Sequence, residues 1–187
     1  MKTFSGLGVS AGIGQAPALL VEPAPGLPAR DPKGDTDDDV ARVTAALSKV
    51  ADRLDARALE ADPSAIGVLM ATAMMARDPG LTSSVRTHLE EGDGPAHALW
   101  GAIDDFCAQL TAAGGYLAER VTDLHNVRDR ALAVLQGLPE PGVPAFDSPV
   151  ILVAEDLAPA DTATLDPELV RGLVTAAGGP TSHTAIL

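Results

Sequence analysis

Proline sets the layout of this chain. Residues 23–34 hold Pro23, Pro25, Pro28 and Pro32, and residues 138–148 hold Pro139, Pro141 and Pro144 beside Gly142. Each proline removes a backbone donor and fixes φ, so neither stretch can be the interior of a helix or a central strand. They read as two linkers that part the sequence into residues 1–22, 35–137 and 149–187.

The middle part carries helical periodicity throughout. Asp37, Asp38 and Asp39 place negative charge where a helix dipole favours it, and Val40, Val43, Leu47, Val50 and Leu54 then recur at spacings of three and four. Asp62-Pro63 starts a second helix bearing Ile66, Leu69, Met70, Met74 and Met75, which Asp78-Pro79-Gly80 is expected to end. A shorter helix from Leu81 to Glu91 follows, then one from Pro95 with Leu99, Trp100, Ile103, Phe106 and Leu110 on one face. Gly114-Gly115 breaks that run, and a last helix is expected from Tyr116 to Gln136, closed by Gly137. With one Trp, one Tyr and three Phe in the whole chain, the interior of such a bundle is built from Ala, Leu, Val and Ile.

The flanking parts have the texture of strands. Phe4 to Val21 reads as β-turn-β, with Gly6, Gly8, Gly12 and Gly14 in its turns. Val150–Ala154 and Val170–Thr175 are apolar runs of strand length, and the Pro-, Asp- and Thr-rich segment between them can hold a short helix. The expected architecture is an incomplete α/β domain, residues 1–22 and 149–187, into which an all-α bundle, residues 35–137, is inserted.

Composition narrows the function. Against 26 Asp and Glu there are 13 Lys and Arg, a formal charge of −13, which argues against a nucleic-acid binder and for a basic partner. No apolar run reaches the length of a membrane span, and the first residues lack a secretory pattern, so a cytoplasmic protein is expected. The single Cys107 excludes an internal disulfide and sits as a small buried residue. His88, His97, His125 and His183 are too scattered for a local metal motif, and the first three are expected at the surface. Met70, Met74 and Met75 are expected in the core. The glycines at 6, 8, 12 and 14 lack the flanking helix and Lys of a phosphate loop.

The residues that carry chemistry follow the last strand: Ala177-Gly178-Gly179-Pro180-Thr181-Ser182-His183-Thr184-Ala185-Ile186-Leu187. Two glycines allow a tight turn and close approach to a ligand, Thr181 or Ser182 can cap a helix, and His183 falls in its first turn. An anion on that imidazole would face unpaired backbone N–H groups at a helix N-terminus. Imidazole is a competent nucleophile near neutral pH, so the arrangement suits a phosphohistidine. A buried or capping histidine in a strand-turn-helix corner would give the same pattern.

Residues 178–186 resemble the phosphohistidine signature of Enzyme I of the phosphoenolpyruvate:sugar phosphotransferase system, and a related signature occurs in pyruvate phosphate dikinase and phosphoenolpyruvate synthase. Val150 to Leu165, Tyr116 to Arg120 with Asp123 and Arg130, and Gly8 to Gly14 are similar to Enzyme I segments in the same order. The resemblance implies that His183 takes a phosphoryl group from phosphoenolpyruvate on Nε2 and passes it to a histidine of the carrier protein HPr, the first step of sugar uptake. It implies that Thr162 hydrogen-bonds and orients the imidazole, with Gly178, Gly179, Thr181 and Ser182 around the phosphate. The bundle would dock HPr, with Met75, Leu81 and Arg120 at its contact surface, its acidic charge steering a basic face of HPr.

The sequence departs from that family at Pro180, where Arg is common, at Asn126, where an acidic residue is common, and at Gly80. It also stops four residues after His183, where the family continues into a phosphoenolpyruvate-binding, dimerising barrel. The resemblance therefore implies a monomeric fragment without cofactor or metal site of its own, Mg²⁺ belonging to the full-length enzyme. Such a fragment is expected to be inactive with phosphoenolpyruvate alone, and its site poorly ordered or inactive. Two other readings stay open: a non-catalytic HPr-docking module, and the phosphohistidine domain of a dikinase-like enzyme.

Overall fold

The computed structural model describes residues 5–21, 23–61, 63–144, 146–155, 157, 159–162 and 165–177. In chain order these form β1 (Ala18–Leu20), α1 (Thr36–Glu60), α2 (Pro63–Ala76), α3 (Pro79–Glu91), α4 (Pro95–Ala113), α5 (Gly115–Glu119), α6 (Val121–Gln136), β2 (Val150–Ala154), α7 (Pro159–Thr162) and β3 (Val170–Thr175). The protein is a helical bundle joined to a small parallel α/β part.

The bundle forms because its stripes are continuous. Val43, Leu47, Val50 and Leu54 of α1 are almost wholly buried, and they meet Leu69 and Ala73 of α2, Leu81, Val85 and Leu89 of α3, Leu99 and Ile103 of α4, and Leu124, Val127 and Leu132 of α6. Asp35 starts α1, its carboxylate accepting from the backbone N–H groups of Asp37 at 2.9 Å and Asp38 at 3.3 Å. Gly92 and Gly137 close α3 and α6 with φ of 116° and 66°, a left-handed backbone that favours glycine.

Several expectations are corrected. Asp78-Pro79-Gly80 opens α3 as well as following α2: the Asp78 carboxylate accepts from the Gly80 N–H at 2.7 Å and Pro79 occupies the first turn, where its missing donor costs nothing. The single helix expected from Tyr116 divides at Arg120. There Arg120 N donates to Leu117 O and Asp123 N to Arg120 O, both at 3.1 Å, three-residue bonds that tighten the chain between α5 and α6. Met70 and Met74 are 51% and 72% exposed and only Met75 packs against the core, because α2 turns one face away from its neighbours.

The β-turn-β expected before Val21 reduces to one short strand. The three strands form one parallel sheet in the order β1-β2-β3, Leu19 opposite Leu152 and Leu152 opposite Leu173. Residues 5–17 contain no strand. They run close to the sheet at Gly14, where a Cβ would collide with the Arg171 carbonyl. Among the described residues no helix is long and apolar enough to cross a membrane.

The histidines are less superficial than expected. His88 of α3 lies with Nε2 3.0 Å from Asp105 of α4 and Nδ1 3.4 Å from Asp93, only 21% exposed, and Gly101 leaves room for its ring. His97 pairs with Asp31 at 3.0 Å. Burial pulls the His88 imidazole down, but Asp105 and then Asp93 outweigh it and hold its pKa above the ordinary value. A base whose pKa is raised on folding stabilises the fold below its unfolded pKa and loses that contribution as pH rises through the folded one. The destabilisation caused by His88→Gln is therefore expected to be larger at pH 5 than at pH 8 in urea titrations. An equal loss at both values would show that the charged form contributes nothing. His125 behaves oppositely, burial and then Arg128 holding its pKa down, so the difference between variant and parent isolates His88.

Candidate functional site

The site is built beyond the carboxyl end of β2, where α7 packs against α2 and α6 of the bundle. Ligands of open parallel sheets bind beyond the carboxyl ends of the strands. β2 and β3 stay paired past their last residues, Ala176 N donating to Ala154 O at 3.0 Å and Ala177 N to Glu155 O at 2.7 Å. Between the two strands the chain forms α7, a single turn too short to be stable by itself. It carries Asp161 and Thr162, both buried.

A buried cation holds that turn. Arg130 of α6 is 1% exposed and forms ion pairs with Asp161 and with Glu140 of the second proline-rich stretch. Its Nε donates to Asn126 Oδ1 at 2.8 Å, and the Asn126 amide in turn donates to Asp161 Oδ2 at 3.3 Å. Glu140 also accepts from Arg53 at 2.8 Å and Arg57 at 3.3 Å, both on α1. Gly142, with φ of 114°, passes over this group so closely that a Cβ would lie 2.6 Å from Asp161 Oδ1. Burial pulls the guanidinium down to about 10 against the pull of Asp161, which leaves it protonated at neutral pH.

Of the residues singled out from sequence, His183 and the surrounding Gly178, Gly179, Pro180, Thr181 and Ser182 lie outside the described residues. Thr162 is buried next to Asp161. Arg120 is mostly covered, bound to Asp123 at 2.8 Å and lying 5.8 Å from the Tyr116 ring centre. Arg120 thus makes an ion pair with Asp123, although Asn126 stands where an acidic residue is common. Leu81 is a correction: at 0% exposure it belongs to the bundle core and offers no surface to a partner. The apolar side chains that α2 and α5 do expose are Met70, Met74, Tyr116 and Leu117. Sequence reasoning reaches Arg130 only within a motif and misses Asp161 and Glu140 as its partners.

The described residues contain no group of three or more His, Cys, Asp or Glu placed to hold a metal ion. They do not fit Mg²⁺.

The family model for PEP-utilising enzyme, N-terminal, matches residues 5–120, and that for PEP-utilising enzyme, mobile domain, matches residues 146–187. The chain belongs to the Enzyme I family of PEP-utilising enzymes. It is 46% identical to the phosphoenolpyruvate-protein phosphotransferase of Streptomyces coelicolor over 99% of its own length, and 34% identical to that of Staphylococcus carnosus over 100%. It spans 34% of the length of each of these relatives. An Enzyme I (nEIt) solution structure superposes with a TM-score of 0.79 at 28% identity, covering 95% of this chain and 75% of that one. The break between the two family matches, residues 121–145, contains α6 and most of the second proline-rich stretch, so Arg130 and Glu140 lie between the two matched regions.

Proposed function

We propose that this chain is the histidine-phosphorylating part of a phosphoenolpyruvate-protein phosphotransferase, with residues 35–137 as its inserted docking domain and residues 23–34 and 138–148 as linkers. The reading is supported by resemblance along the whole chain to proteins of that name, and the observation that carries it is geometric. Thr162 is buried at the end of α7, the turn that connects the paired parallel strands β2 and β3, and residues 178–183 follow β3 in the chain.

In this reading the unprotonated Nε2 of His183 attacks the phosphorus of phosphoenolpyruvate, held by a region outside these residues. The P–O bond to the enol breaks, and the enolate leaves and is protonated to pyruvate. The phosphoryl group then moves to a histidine of HPr by the same displacement, regenerating neutral His183. Thr162 orients the imidazole, the backbone N–H groups of Gly178, Gly179, Thr181 and Ser182 surround the phosphoryl oxygens, and alignment supplies most of the rate. Mg²⁺ would belong to the phosphoenolpyruvate-binding region, and the setting is cytoplasmic. HPr docks on the exposed Met70, Met74, Tyr116 and Leu117 beside Met75 and Arg120.

Incubation with phospho-HPr tests the reading against the sequence-based expectation of an inactive site: one acid-labile phosphoryl group gained in the intact mass, and absent in His183→Ala, would support it. Docking of HPr without that gain would leave a binding module, the second reading, which the exposed apolar side chains of α2 and α5 favour. Absence of both would overturn the proposal.

A further inference from the structure

The Arg130 cluster joins four segments: α6 through Arg130 and Asn126, α1 through Arg53 and Arg57, the second proline-rich stretch through Glu140 and Gly142, and α7 through Asp161. A turn of four residues cannot hold its own geometry. α7 rests on α2 and α6, and its one described charged anchor is the Asp161 carboxylate on Arg130. Thr162 is the next residue in the chain.

We propose that Arg130 is a positioning residue for phosphotransfer: by gripping Asp161 while Glu140 fixes its other guanidinium nitrogen, it sets where the Thr162 hydroxyl stands and so which way the His183 imidazole faces. This rests on the reading of Thr162 given above. The fork of the guanidinium is essential to it, because the two carboxylates approach different nitrogens from different segments, and an ammonium is a point charge that cannot match both directions. Asn126 suits this geometry, since its amide accepts from Arg130 and donates to Asp161, whereas a carboxylate there would repel Asp161.

Two variants of this chain test it, Arg130→Lys and Asp161→Asn. The second keeps the shape of the side chain and leaves the Arg130–Glu140 pair in place, so it guards against loss of folding in the first. Three quantities are read on each: helical circular dichroism, the ¹⁵N shifts of the His183 imidazole, and the rate of phosphate transfer from phospho-HPr to His183 as a function of HPr concentration. Both variants are expected to retain the helical signal, to shift the imidazole nitrogens, and to lower kcat by about tenfold to a hundredfold with KM for phospho-HPr unchanged. A fall in rate that only follows the folded fraction, or imidazole shifts identical to the parent's, would overturn the proposal. An effect in Asp161→Asn alone would also overturn it, since Asp161 would then act without Arg130. If the parent chain itself takes no phosphate, the functional reading fails at that point, and the imidazole shifts still decide whether Arg130 governs the geometry.

Discussion

Replacing Arg130 by Ala is expected to lower the unfolding free energy by about 3–5 kcal/mol, the range found when one member of a buried ion pair is removed. The loss comes less from the attraction given up than from what stays behind. Asp161, itself 9% exposed, loses its guanidinium and keeps only a weaker dipole from Asn126 among the bonds described above, and the Asn126 carbonyl loses its donor. Glu140 is spared part of the cost because Arg53 and Arg57 still reach it. Arg77 supplies the contrast: it bridges Asp52 at 2.7 Å and Asp55 at 2.8 Å, yet it is 41% exposed. Solvent screens such pairs, so Arg77→Ala is expected to cost at most about 1 kcal/mol. Urea unfolding of the two variants side by side at neutral pH checks this, and equal losses would mean that the Arg130 cluster is no more desolvated than the surface.

Leu99→Ala is expected to cost a similar amount, about 2.7–5 kcal/mol, by a different route. Leu99 is wholly buried in α4, which packs against α1, α3 and α6, and its removal leaves a cavity that no single helix can close without disturbing two others. The core around it is already built from small residues, Ala98, Ala102 and Ala131 being completely buried. Short side chains have little reach with which to fill a void. Met74→Ala, at a position 72% exposed, is expected to stay within about 0.5 kcal/mol of the parent. A Leu99→Ala loss near that of Met74→Ala would show that the bundle relaxes around the missing side chain.

The helices are legible where periodicity and caps agree. The α1 stripe, the Gly92 and Gly137 ends and the strands β2 and β3 all follow from local chemistry, since a spacing of three and four or a continuous β-branched run has few other uses. Asp78-Pro79-Gly80 misleads because the same tripeptide that cannot continue one helix is a good start for the next. Arg120 misleads because a tightening of the chain by one turn leaves hydrophobic spacing nearly intact. The proline-rich stretches tell where regular structure stops, and nothing in them announces that Glu140 becomes a half-buried partner of three arginines.

The exposure of particular side chains is harder still to read. Leu81 and Met74 are both apolar side chains in successive helices, yet one is in the core and the other faces outward. Periodicity gives the relative phase of residues on a helix, and the packing of neighbours decides which phase is inside.

The amino-acid sequence by itself determined most of the helices, the strands β2 and β3, and the family to which the chain belongs, because each of these is written in residues close together along the chain. Only the tertiary structure decided that Arg130, Asn126, Glu140 and Asp161 form one buried cluster against α7. Those residues are drawn from three separate segments, and a charge becomes worth several kcal/mol only once folding removes the water around it.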